Sequence, residues 1–179
     1  MINAIEIIEK YYNKNTAIYN LLITHSTQVK EKALEICKKH NELDVDIEFV
    51  MEASMLHDIG IIKCNAPKIH CNGKHKYIEH GYLGAEILRK EGLEKHALVC
   101  ERHTGTGLSK ETIINNKFEI PQRDMIPISL EEQIICYADK FYSKSKPQET
   151  HTVDAIIKEL SKFGKEQVLT FEKWHKIFG

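Results

Sequence analysis

Asp46-Ile47-Glu48-Phe49-Val50-Met51-Glu52-Ala53-Ser54-Met55-Leu56-His57-Asp58-Ile59-Gly60 carries a helix start, an apolar stripe and an ionisable pair within fifteen residues. Asp46 belongs to the small set of side chains that accept a hydrogen bond from the first free amides of a helix. Ile47, Val50, Ser54 and His57 then recur at gaps of three, four and three, which is one face of a helix. Gly60 stands where a C-terminal glycine ends such an element. The pattern predicts a helix whose last turn carries His57 and Asp58, two ionisable side chains at the end of an inward-facing stripe.

The same period governs the flanks, and no stretch alternates as a strand would. A first helix is expected over residues 2–12, and a second over 16–40, opened by Thr16. Its stripe is Leu22, His25, Val29, Ala33 and Ile36, so His25 stands in an otherwise apolar row. Beyond Gly60, residues 61–79 form a long connection with Pro67, Gly73, two cysteines and two histidines. Helices over 80–90 and 94–103 stop near Gly92 and Gly105, each with a histidine at one end. Ser109 starts a short helix within an otherwise irregular 104–128, and both long connections are of the length that serves as lids. Ser129-Leu130-Glu131-Glu132 is a capping box, opening a helix in which Ile135, Asp139 and Tyr142 share a face. After Lys144-Ser145-Lys146-Pro147 come two amphipathic segments, 152–163 and 165–178. The expectation is a single all-α domain over 1–179, a helical bundle with its core at about 16–143 and a C-terminal helical extension at about 150–178.

The composition narrows the function classes. Among 179 residues, 25 basic and 26 acidic side chains leave a net charge of -1, which predicts no pull toward nucleic acid or an anionic membrane. The absence of a long apolar run or a signal-peptide layout predicts a cytoplasmic protein. Five dispersed cysteines fit a reducing compartment better than a disulfide framework. A chain of this size buries roughly 70% of its unfolded surface, so any metal is expected to act rather than to staple. The ten histidines are the unusual feature.

His25, the pair His57-Asp58, His80, His103 and Asp139 lie on five predicted helices, each on or at the edge of a buried stripe. Packing these helices together points four imidazoles and two carboxylates at one interior space. Such a cluster is costly to bury without compensation, whereas divalent cations satisfy its lone pairs and charge. The order His25, His57-Asp58-Ile59-Gly60, His80-Gly81, Arg102-His103-Thr104-Gly105 and Ala138-Asp139-Lys140 resembles the HD-domain superfamily of metal-dependent phosphohydrolases, over roughly residues 24–142. The extra histidines at 80 and 103 resemble its six-ligand, two-metal branch. The run Glu101-Arg102-His103-Thr104-Gly105 is similar to an uncharacterised HDIG-type group and, more distantly, to symmetrical diadenosine tetraphosphate hydrolases.

The resemblance implies that His25, His57, Asp58 and Asp139 hold one metal, and Asp58, His80 and His103 a second, with Asp58 bridging. It favours iron, with Mn, Zn and Ni as further occupants of a mixed imidazole and carboxylate set. Two cations about 3.5–4 Å apart polarise a phosphoryl oxygen and generate hydroxide at neutral pH. Asp58, Lys140 and Lys63 are therefore the expected catalytic residues, and Arg102, Lys144 and His75 the expected substrate contacts. Many relatives have Lys directly after His-Asp-Ile-Gly, where this chain has Ile61.

The implied activity is hydrolysis of a phosphoester or phosphoanhydride in a small phosphorylated substrate, a nucleotide among the candidates. The rival expectations are a mixed-valent di-iron oxygenase cleaving a C–C or C–P bond, and a non-catalytic nucleotide-sensing module. Cys64, His70, Cys71 and His75 match no common zinc finger spacing. Cys37, Cys100 and Cys136 read as small core residues, and His40, His96, His151 and His175 as surface residues.

Overall fold

Six of the helices begin where a short polar side chain accepts from an otherwise free amide: Asn3 from Glu6, Thr16 from Tyr19, Asp46 from Phe49, Ser109 from Thr112, Ser129 from Glu132 and Thr152 from Ala155. These caps set the frame of the computed structural model, which describes residues 2–179. The helices are α1 (Ala4–Glu9), α2 (Ala17–Lys39), α3 (Ile47–Leu56), α4 (His80–Lys90), α5 (Glu94–Arg102), α6 (Lys110–Asn115), α7 (Leu130–Asp139), α8 (Val153–Leu160) and α9 (Lys165–Phe178). The all-α expectation holds, with two small antiparallel pairs added: β1 (Asn65–Ala66) with β2 (Cys71–Asn72), and β3 (Tyr142–Ser143) with β4 (Lys146–Thr150). The second pair replaces the expected linker around Lys144 with a hairpin turn.

Residues 46–60 fold differently at both ends. Ile47 is 44% exposed, so the inward face begins at Val50. The helix stops at Leu56, and His57 and Asp58 lie just beyond it, ahead of a 3₁₀ turn over Ile59–Lys63. Gly60 is therefore no helix terminator. A Cβ there would stand 2.0 Å from the His80 carbonyl oxygen and 2.4 Å from the Gly84 amide, so glycine is required by the close crossing of this turn over α4. On α4 itself, a Cβ at Gly81 would meet the Cys100 carbonyl at 2.7 Å, and one at Gly84 the Cys100 sulfur at 2.3 Å. These small residues let α4 and α5 approach closely.

The buried apolar side chains form two large clusters. One joins Val29 and Ile36 of α2 to Val50, Ile134, Tyr137 and the C-terminal Phe171 and Trp174. The other joins Leu22 of α2 to Ile8, Leu56, Ile61, Leu88 and Cys100. His25 falls on α2 between Leu22 of one cluster and Val29 of the other, at their seam. The C-terminal helices contribute to the main core: Tyr137 stacks on Phe171 at 5.3 Å, and the Tyr137 hydroxyl meets His175 Nδ1 at 2.7 Å. The connection 104–128 is also packed, with Leu108, Ile113, Ile120 and Met125 buried together and Leu108 paired to Met125.

Candidate metal centre

Six side chains meet at the seam, each delivered by a different local device. His25 comes from mid-α2, His57 and Asp58 from the turn after α3, His80 from the first residue of α4, His103 from the residue after α5, and Asp139 from the end of α7. All are buried. Three imidazoles are oriented identically: Nδ1 of His57, His80 and His103 lies 2.7 Å from the carbonyl three residues earlier, of Ser54, Tyr77 and Cys100 respectively. A carbonyl only accepts, so in each ring Nδ1 carries the proton and Nε2 presents a lone pair. This is the outer-shell arrangement that fixes the tautomer of metal-binding histidines.

The lone pairs converge on Asp58. Its Oδ2 lies 3.2 Å from His25 Nε2 and 3.3 Å from His57 Nε2; its Oδ1 lies 3.4 Å from His80 Nε2 and 3.3 Å from His103 Nε2. Asp139 Oδ1 completes the first side at 2.9 Å from His25 and 3.5 Å from His57. On the second side, Nε2 of His80 and of His103 face each other at 3.0 Å. Asp58 is wholly buried, yet neither of its oxygens accepts a hydrogen bond of ordinary geometry, Oδ2 having the Lys144 ammonium as an ion-pair partner, and His57 Nε2 likewise lacks a hydrogen bond. Buried polar atoms are normally satisfied, so this under-satisfied set fits a cation bound between its members. Two groupings can each hold a metal ion: His25, His57, Asp58 and Asp139, and Asp58, His80 and His103.

The electrostatics agree. Burial opposes the charged imidazole of His57, but Asp58 and Asp139 outweigh it and draw the ring up to about 9. Groups that draw a proton this strongly draw a metal ion for the same reason. At His80 burial wins, with His103 adding to it, and the ring falls to about 3. Against their own burial, Lys144 and His57 hold Asp58 well below the usual carboxylate range, and Lys140 and Lys144 do so for Asp139.

Of the other expected residues, the structure brings two lysines to the cluster. Lys144 Nζ lies 2.6 Å from Asp58 Oδ2, and Lys140 Nζ lies 2.8 Å from Asp139 Oδ2 and donates to the His103 carbonyl at 3.1 Å. Lys63 ends the 3₁₀ turn with its side chain exposed, and only its carbonyl is used, by the amides of Lys74 and His75. Arg102 is engaged by Glu132 at 2.9 and 3.0 Å. His75 is half exposed and pairs with Glu79 at 2.9 Å. The structure does not bring these three side chains to the cluster. His96 is corrected, being buried against Phe49 with Nε2 3.1 Å from Glu52.

Tyr77 is a neighbour that sequence reading missed. Its ring stacks on His80 at 4.6 Å and 18°, and its carbonyl orients that histidine. The only signal was its place three residues before a ligand. Among the described residues no helix is long and apolar enough to cross a membrane.

The HD domain family matches residues 22–143. An uncharacterised protein of Methanocaldococcus jannaschii is 38% identical over 152 residues, covering 83% of this chain and 80% of its own. Two proteins named tRNA (cytidine(56)-2'-O)-methyltransferase are similar over a shorter reach. That of Thermoplasma volcanium is 33% identical over 126 residues, 70% of this chain and 32% of its own, and that of Picrophilus torridus 30% identical over 128 residues, 71% and 33%. The chain thus spans about a third of the length of those two relatives. No solved structure matches. The match over the segment that holds all six buried candidate ligands places the chain in the HD domain family.

Proposed function

We propose that the chain is a phosphohydrolase of the six-ligand, two-metal branch, acting on a phosphoester or phosphoanhydride of a small molecule, with a nucleotide as the first candidate. The observation that carries this reading is the division of Asp58, one oxygen toward His25 and His57 and the other toward His80 and His103, with the Lys144 ammonium paired to the first and, among the described residues, no ammonium paired to the second. A pair of cations held there supplies an activated water and neutralises phosphoryl charge. The mixed imidazole and carboxylate set suits iron first, with Mn, Zn or Ni as alternatives.

The chain's own residues supply the rest. Lys144 and Lys140 stay charged despite burial, because Asp58 and Asp139 lie beside them, and both stand where anionic substrate oxygens need a partner. The nearby thiols are poor nucleophiles. Burial pushes Cys136 up to about 12 and raises Cys100 well above the ordinary thiol value, and their sulfurs are spent on the carbonyls of His103 and His57. Water is the nucleophile this leaves. A net charge of -1 means that attraction for phosphate is local, which supports a small ligand. The relatives named as tRNA methyltransferases carry their matching segment in much longer chains, which supports placing nucleotides at the head of the substrate list.

The test is a panel of nucleotides, dinucleoside polyphosphates and simple phosphomonoesters offered to protein loaded with iron or manganese. Release of phosphate or nucleoside phosphate, equal with and without oxygen, is expected. Silence across the panel with metals bound, or turnover that consumes oxygen, would reject the reading.

A further inference from the structure

A cavity of about 250 Å³ opens beside the second metal grouping, with His80 in its wall and Tyr77 next to it. Several polar residues line it, but many of their polar atoms are committed elsewhere. The Gln167 amide bonds to Thr106 and the Gly107 carbonyl, Thr112 Oγ1 meets Ser109, and the Asn116 amide donates to the Thr112 carbonyl. What remains facing the space is mostly carbon, from Ile78, Leu108 and Phe118 and the faces of Tyr77 and Phe163. Phe163 is the telling member. It sits on the rim, in the 3₁₀ turn after α8, with 56% of its surface in water. Phe163 and Gln167 both lie outside the residues matched by the family, so this wall belongs to the C-terminal segment of this chain.

We propose that this cavity binds the planar, apolar-faced group esterified to the substrate's phosphate, with the Phe163 ring closing over it, an inference that rests on the phosphohydrolase reading. The volume decides the size class. Sites for whole drug-sized ligands run to about 300–1,000 Å³, so this one takes a single aromatic or bicyclic group and has no room for a second nucleoside. The chemistry decides the selectivity. A wall that is mostly carbon reads few hydrogen-bonding edges, so the pocket discriminates chiefly by shape and apolar surface and tolerates changes at the ring edge. Simple aryl phosphates and nucleotides of several bases are therefore accepted, and phosphates on small polyols are poor ligands.

The test is equilibrium binding of 1-naphthyl phosphate and glycerol 3-phosphate to metal-loaded protein, followed by naphthyl fluorescence and by competition, alongside hydrolysis of both. The wild type is expected to prefer the naphthyl ester by about tenfold or more. That ratio should collapse in Phe163→Ala, which changes an exposed side chain, and in Thr112→Trp, which adds bulk to a residue lining the cavity. Equal binding of the two esters by the wild type, or a preference that survives both variants, overturns the proposal. A naphthyl preference that both variants abolish, found in protein that hydrolyses neither ester, supports the pocket and counts against the phosphohydrolase reading alone.

Discussion

Lys144 and Asp58 form an ion pair of 2.6 Å at the centre of the cluster, on the very oxygen that faces His25 and His57. The lysine stands at the tip of the β3–β4 hairpin, and it competes with any cation for Asp58 Oδ2. With a cation bound, the same ammonium is free to hold a phosphoryl oxygen. Lys144→Met keeps most of the stem and drops the charge. It should retain its first metal longer against a chelator, while the KM for a phosphoester rises about tenfold, the size of a lost charge-assisted hydrogen bond. A variant with unchanged metal retention and unchanged KM would show that the pair is only structural.

Asp58 serves both groupings and His80 only one. Elemental analysis after mild purification should therefore find about two metals per chain in the wild type, about one in His80→Ala and almost none in Asp58→Ala. Because binding to the folded state alone stabilises it, stripping the metals with a chelator should lower the melting temperature of the wild type more than that of Asp58→Ala. One metal lost in both variants would remove Asp58 from its bridging position.

The helix starts were legible because capping is local: Thr16, Asp46 and Ser129 announce themselves within four residues. The six candidate ligands were legible as an ordered set on or at the edge of apolar stripes. What turns them into a site was not. The carbonyls of Ser54, Tyr77 and Cys100 that orient three rings are backbone atoms, the same at every position of the sequence. Gly60 read as a helix stop because its actual reason, contact with the His80 carbonyl, is tertiary. Lys63 and Arg102 stood near ligands in sequence but leave in other directions, whereas Lys144 reaches Asp58 through a hairpin too short to carry a strand pattern.

Gly60 yields a prediction of its own. A methyl group there meets backbone atoms of α4 at 2.0 and 2.4 Å, and neither can move without shifting the helix that begins at His80. Overpacking of this kind costs about 1–3 kcal/mol. Gly60→Ala should lower the melting temperature by several degrees and weaken the His80 and His103 side of the centre before the His25 side. A folded variant with both metals held as tightly as in the wild type would show that the crossing of the turn over α4 tolerates a side chain.

His96, away from the centre, sets an acid limit on stability. Burial, partly offset by Glu52, holds its ring below the ordinary histidine pKa. Between the folded and unfolded values the unfolded chain then binds more protons at this site, so stability rises with pH in that interval. The contribution is fully present above about pH 6.5, the unfolded value, and is lost as pH falls through the folded one. His96→Phe removes the titration while keeping a ring against Phe49. Urea midpoints measured on metal-free protein from pH 7 down to pH 5 should fall less steeply in the variant than in the wild type. Parallel curves would mean that the His96 site binds protons equally in both states and that its burial against Phe49 and Glu52 exerts no pH-dependent control.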